Sequence, residues 1–205
     1  MTAKTTRVCM VLVAVVAVLA LPAFAQFNDV YQVNYFSNNN GPASNPDQFV
    51  RIINTGQVGS PIDSATAHGT ICADIYVFDA NQEMLECCSC PVTANGLLSL
   101  SVGTQLTQRT LTQVTPTTGV IKIVGDAGPA PSVCTATNIV NPIPGALRAF
   151  GTHVQPGGQI TETAFQVAPL RTGPGSEADF LGMACSFVIY LGSGRGQCLC
   201  PNTPA

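Results

Sequence analysis

Apolar and polar residues alternate along much of the chain in short runs, and Gly, Pro, Asn or Ser closes each run. Residues 30–36, VYQVNYF, have the two-residue period of a half-buried strand and stop at SNNNGP, 37–42. FVRII at 49–53 makes a second run, ended by Asn54-Thr55-Gly56. Residues 70–78 and 83–90 are two β-rich runs on either side of Asp79-Ala80-Asn81-Gln82, which predicts a hairpin. Segments 97–102, 119–124, 147–154 and 160–167 supply four further strands. Strands at this spacing, with turn residues between them, predict a mainly β chain folded as an antiparallel β-sandwich.

Two stretches depart from that pattern. Ser176-Glu177-Ala178-Asp179 fits a capping box, with a side-chain acceptor at the N-cap and a carboxylate three residues on. An apolar run from Phe180 to Leu191 follows and Gly192 stops it, so one C-terminal helix is expected, packed as a buried element. Its second half, Phe187 to Tyr190, is also rich in strand formers, which leaves a helix passing into a strand as the alternative. The other stretch is a Pro-rich loop from Gly125 to Gly145. A loop of that length in a compact domain is expected to be functional, mobile or tied down, and Cys134 is its natural tie.

The first 25 residues change the composition that the rest must use. Lys4 and Arg7 form a basic head, Met10 to Leu21 an apolar stretch too short to span a bilayer, and Ala23-Phe24-Ala25 a small-x-small site. This predicts a signal peptide over 1–25, cleaved before Gln26, and a single domain over 26–205. Cys9 leaves with the signal. Without Lys4 and Arg7 the chain keeps six basic residues against eleven acidic ones, a formal charge of −5. The six are scattered singly, which disfavours a nucleic-acid surface.

Eight cysteines remain: Cys72, Cys87, Cys88, Cys90, Cys134, Cys185, Cys198 and Cys200. An even set in an exported chain predicts disulfides, and eight cysteines allow 105 pairings. Strand geometry narrows these. Cys87 and Cys88 are neighbours on a strand and should serve different partners, whereas Cys88 and Cys90 share a face, as do Cys198 and Cys200. The 87–90 cluster is expected to bond in part to the C-terminal pair. A bridge from Cys72 across the hairpin to Cys88 or Cys90 requires a register slip of one residue, which a bulge supplies.

The alternatives are weaker. A metal site built on Cys87, Cys88, Cys90, Cys198 and Cys200 with His68 or His153 lacks the C-x2-4-C spacing of zinc sites, so neither metal nor cofactor is expected. His68 and His153 are the only histidines, and no G-x-S-x-G or H-E-x-x-H accompanies either, so no catalytic residue is assigned. Glu83 and Glu86, three apart on a strand, face opposite sides and cannot flank one glycosidic bond. Asp79 to Glu83 lacks the glycine and distal glutamate of a calcium loop. Aromatic sugar platforms are poorly provided for, with no Trp and four Tyr, of which Tyr31 and Tyr35 share a strand face.

The segment 71–91, ICADIYVFDANQEMLECCSCP, resembles exported proteins of soil bacteria of the acidobacterial type, and the resemblance continues through NGLLSL at 95–100, GVIKI at 119–123, Cys185 and LGSG at 191–194. It implies export and carries no activity, ligand or catalytic residue. The expected function is a secreted structural or binding module of the cell surface or extracellular matrix, extracellular or periplasmic, whose partner is a protein or cell-surface component. The competing expectations are a small secreted hydrolase using His68 or His153, a Cys-rich metal-binding protein and a self-assembling subunit.

Overall fold

The computed structural model describes residues 31–37, 48–56, 69–128, 133–154, 159–192 and 194–201. The signal segment 1–25, the Asn-rich turn after Ser37 and His68 lie outside the described residues. Among the described residues nine strands form two antiparallel sheets. Strands β1 (Tyr31–Ser37), β3 (Ile71–Asp79), β4 (Met84–Val92), β6 (Thr118–Asp126) and β9 (Gln166–Ala168) make one sheet, in the order β4-β3-β6-β1-β9. Strands β2 (Phe49–Asn54), β5 (Leu97–Ser101), β7 (Leu147–Val154) and β8 (Ile160–Ala164) make the other, in the order β5-β2-β7-β8.

The alternation in the sequence sorts side chains between two cores. Ile71, Ala73, Ile75 and Val77 of β3 point between the sheets, where they meet Ile52, Leu100, Ile123 and Leu147. Tyr76 and Phe78 point to the outer side of the five-stranded sheet, which helix α1 (Glu177–Gly192) covers with Leu181, Cys185 and Val188. A central strand buried on both faces explains why 71–78 is apolar almost without interruption.

The expected segment 160–167 is not one strand. The chain crosses from one sheet to the other at Phe165, which is buried while β8 before it is exposed throughout. β8 therefore pairs with β7 only as far as Phe150, and the β7 residues Leu147 and Ala149 extend beyond it. The side chain of Gln32 takes over from the missing strand: its Nε2 donates to the Leu147 carbonyl at 2.8 Å, and its Oε1 accepts from the Ala149 N–H at 2.8 Å. Gln32 is fully buried and links the two sheets. Gln32→Leu keeps the volume but leaves the Ala149 N–H without its acceptor, while the Leu147 carbonyl keeps its bond from Arg148 Nη1, so urea unfolding should show a loss of about 1–3 kcal/mol; an unchanged midpoint would contradict this role.

Helix α1 begins after Ser176 as expected, but the capping box is only half made, because the Asp179 carboxylate reaches the residue before the N-cap. The Asp179 N–H donates to Ser176 Oγ at 3.3 Å, and Asp179 Oδ2 accepts from the Gly175 N–H at 2.8 Å. The helix persists through Phe187–Tyr190 without turning into a strand. It is not wholly buried, because Phe180, Met183, Phe187, Tyr190 and Leu191 remain exposed. Its first turn is fixed to the sheet by Glu177, whose Oε1 lies 2.6 Å from Lys122 Nζ and accepts from the Tyr31 hydroxyl at 3.1 Å. Among the described residues no helix is long and apolar enough to cross a membrane.

Candidate functional site

The most heavily built part of the molecule is the outer edge of the five-stranded sheet, where β4 meets the C-terminal tail. The eight cysteines among the described residues are all paired: Cys72 with Cys134, Cys87 with Cys185, Cys88 with Cys198 and Cys90 with Cys200. In chain order these are the first cysteine with the fifth, the second with the sixth, the third with the seventh and the fourth with the eighth.

Strand alternation explains three of the four. Cys87 points outward and bonds to the helix, whereas Cys88 and Cys90 point inward and bond to Cys198 and Cys200. The tail runs parallel to β4 at its free edge, with the Cys87 N–H donating to the Gly196 carbonyl and the Cys198 N–H donating to the Cys87 carbonyl. Backbone groups that would otherwise template pairing with another chain are thereby occupied. Cys72 does not bridge the hairpin. A bulge between Val77 and Phe78 shifts the register so that Cys72 faces Pro91, and its sulfur meets Cys134 of the long loop.

The hairpin turn is closed by Asp79, whose Oδ1 accepts from the N–H groups of Asn81 and Glu83. That carboxylate holds the turn itself and does not form a calcium loop. The long loop is tied at its base by Asp126, which accepts from the N–H groups of Val140 and Asn141. Its middle is held by Cys134 and by the Tyr76 hydroxyl, which donates to the Ala136 carbonyl at 2.9 Å.

Two clefts flank this loop and share Thr137. One, of about 510 Å³, lies between residues 137–139, residues 172–174 and the N-terminal half of α1. The other, of about 260 Å³, lies over Ser89, Arg109 and the bridges of Cys88 and Cys90, closed by Thr135 to Thr137 and the tail. The sulfurs of Cys88, Cys90 and Cys200 lie within 4.8 Å of one another. They belong to two neighbouring disulfides, so they offer no thiolate to a metal.

Two buried acids lie on the neighbouring strands β3 and β4, Asp74 on the outward face and Glu86 on the inward one. Asp74 accepts a short hydrogen bond from Ser89 Oγ, and its second oxygen has no partner. Burial, with the Asp126 charge nearby, pushes its carboxyl well above the ordinary range, against the pull of the Ser89 hydrogen bond. Glu86 lies on the inward face, fully buried, and neither carboxyl oxygen completes a hydrogen bond of ordinary geometry. Burial raises its pKa to about 7, and the backbone and charge of nearby Arg109 draw it only part of the way back. The sequence places both acids inside apolar runs, ICADIYVF and MLECC. A carboxylate flanked by apolar neighbours on both sides is the signal that marks them.

His153 lies far from this edge in sequence and sits on β7. Its Nε2 is 3.5 Å from Thr163 Oγ1, and its ring stacks on exposed Tyr35 with centroids 5.5 Å apart. Burial lowers its pKa. Among the described residues no carboxylate hydrogen-bonds to the ring. Of the two tyrosines that share a strand face, Tyr31 is buried beneath α1 and only Tyr35 is open to a ligand. No family model, curated protein or solved structure matches this chain.

Proposed function

We propose that the chain is an exported, disulfide-stapled structural or binding module of the cell surface or extracellular matrix, with no catalysis of its own. The observation that carries this is the convergence of four bridges on one sheet, which tie the tail, the long loop and the helix to it. Disulfides in this number persist in oxidising compartments. The apolar 12-residue head with its small-x-small site supports export by the same route. Recognition is by surface complementarity on a rigid scaffold, with the 125–145 loop and the clefts on either side of Thr137 as the contact surface. The partner is a protein or a cell-surface component.

The test combines location with thiol state. The native protein recovered from the producing cells is alkylated under denaturing conditions, with and without prior reduction, and its intact mass is read. The expected result is a chain beginning at Gln26, found outside the cytoplasm, with no reactive thiol before reduction and eight after it. Recovery from the cytoplasm, or several thiols reacting without reduction, would overturn the reading. The competing reading is a small secreted hydrolase using His68 or His153, the second with its Nε2 3.5 Å from Thr163 Oγ1. Activity on an esterase, glycosidase and peptidase panel that His68→Ala or His153→Ala abolishes would replace the binding reading with that one.

A further inference from the structure

Helix α1 has a second apolar side that the sheet does not use. Leu181, Cys185 and Val188 are buried against β3 and β4, whereas Phe180, Met183, Phe187, Tyr190 and Leu191 are 45, 64, 60, 83 and 50% exposed. Positions 180, 183, 187 and 190 are separated by three, four and three residues, the a and d seam of a coiled coil. The helix has 16 residues and is about 24 Å long, so the seam covers most of its length. From those exposures and ordinary side-chain areas, the five residues present on the order of 600 Å². A stable interface takes about 800 Å² from each partner, and exposed Asp179, Ser186 and Arg195 flank the seam to supply the rest.

We infer that this face pairs two copies of the chain, helix against helix and antiparallel, about a two-fold axis midway between Met183 and Phe187. Charge selects that direction. The first turn of α1 is acidic and the last turn has no basic residue, while Arg195 follows the helix end. An antiparallel pair sets exposed Asp179 towards the end that carries Arg195, and a parallel pair would set Asp179 against its own copy. Opposed helix dipoles favour the same arrangement.

In the antiparallel register Phe180 lies against Tyr190 of the partner subunit and Met183 against Phe187 of the partner subunit, each contact occurring twice. The 510 Å³ cleft beside Met183 opens at this seam, so the partner subunit's Tyr190 stands at its mouth. A two-fold contact of this kind closes on itself and does not propagate into fibres. The Cys87–Cys185 bridge fixes α1 to β4 before any partner arrives, so little ordering is lost on pairing. The inference goes beyond the module reading and does not depend on it, since a cytoplasmic location would leave the seam intact.

Sedimentation of the oxidised, signal-free protein over a range of micromolar concentrations tests it. The expected result is a species of twice the chain mass. Phe187→Glu should weaken self-association by about thirtyfold or more, the loss expected of a central aromatic anchor, and Met183→Glu should act in the same direction. Val114→Glu, at another exposed apolar position, should leave it unchanged. Intact mass with no free thiol confirms that each variant has folded and oxidised. A monomer at every concentration, a dimer that survives both helix variants, or open-ended polymers would overturn the inference. So would a monomer that sediments with phosphatidylcholine vesicles only when Phe187 is present, because the seam would then serve a membrane.

Discussion

Replacing Cys87 and Cys185 together by alanine should lower stability by about 2–4 kcal/mol and should release α1 before the sheets melt. Because the Cys88–Cys198 bridge remains, the loop that opens is the short path through 87–88 and 185–198, about 15 residues, for which the entropy returned to the unfolded chain is about 3 kcal/mol. Both sulfurs are fully buried at the contact between α1 and the sheet, and alanine leaves unfilled space there. The anchors that remain within the chain include Leu181, Val188 and the Glu177 cluster with Lys122 and Tyr31, all on one side of a helix whose other side makes no contact with the sheet. Guanidinium unfolding gives the total loss, and amide hydrogen exchange shows where it falls. Exchange within 177–192 should accelerate by more than in β3 or β6. If the helix amides remain as protected as those of the central strands, the bridge is not what holds the helix.

Glu86 gives the second large effect, and it depends on pH. Its folded pKa is about 7 against an ordinary value of 4.5, so the folded chain retains a proton that the unfolded chain gives up across that interval. A raised acid pKa makes its contribution fully favourable below about pH 4.5, and that contribution is lost as pH rises to about 7. At about 1.4 kcal/mol per unit, the loss is about 3 kcal/mol, and it levels off above neutrality. Asp74 acts in the same direction, since burial raises its carboxyl too. Glu86→Gln keeps the shape and abolishes the titration, so the variant should gain about 3 kcal/mol over the parent at pH 8 and little at pH 4.5. Urea midpoints of both proteins at the two pH values provide the check. Parallel losses in parent and variant between those values would exclude Glu86 as the source.

The strands were legible because their side chains alternate between water and a core, and Gly, Pro or Asn marks where they end. The helix was legible at its start, since Ser176 Oγ caps the Asp179 N–H as the motif requires, although the Asp179 carboxylate turns to Gly175 and not to the N-cap N–H. Its exposed side was not, because a run that is apolar nearly all round gives no periodicity from which to read a face. Parity along β4 separated Cys87 from Cys88 and Cys90 and pointed the cluster in part to the C-terminal pair, but it gave neither Cys185 as the partner of Cys87 nor which of Cys198 and Cys200 each inward cysteine meets. The partner of Cys72 was not legible either, because it depends on the bulge at Val77 and on the path of a loop with no repeating pattern. The change of sheet at Phe165 was hidden for a similar reason. Residues 160–167 carry enough strand formers for one continuous strand, and only the burial of Phe165 in the inter-sheet core divides them. Gln32 read as the polar half of an alternating strand, yet it stands inside and completes the ladder of the opposite sheet.

The order of the bridges, each joining a cysteine to the fourth one after it, has a consequence for damage. All four loops overlap over residues 90–134, so a single cut anywhere in that stretch produces two pieces joined by every disulfide in the molecule. That stretch includes the exposed positions Gln108, Arg109 and Thr112 to Val114, where a protease has access. A nick there leaves neither fragment free to diffuse away. The cleaved protein would migrate as one molecule on a non-reducing gel and as two after reduction, still covalently assembled around the same edge.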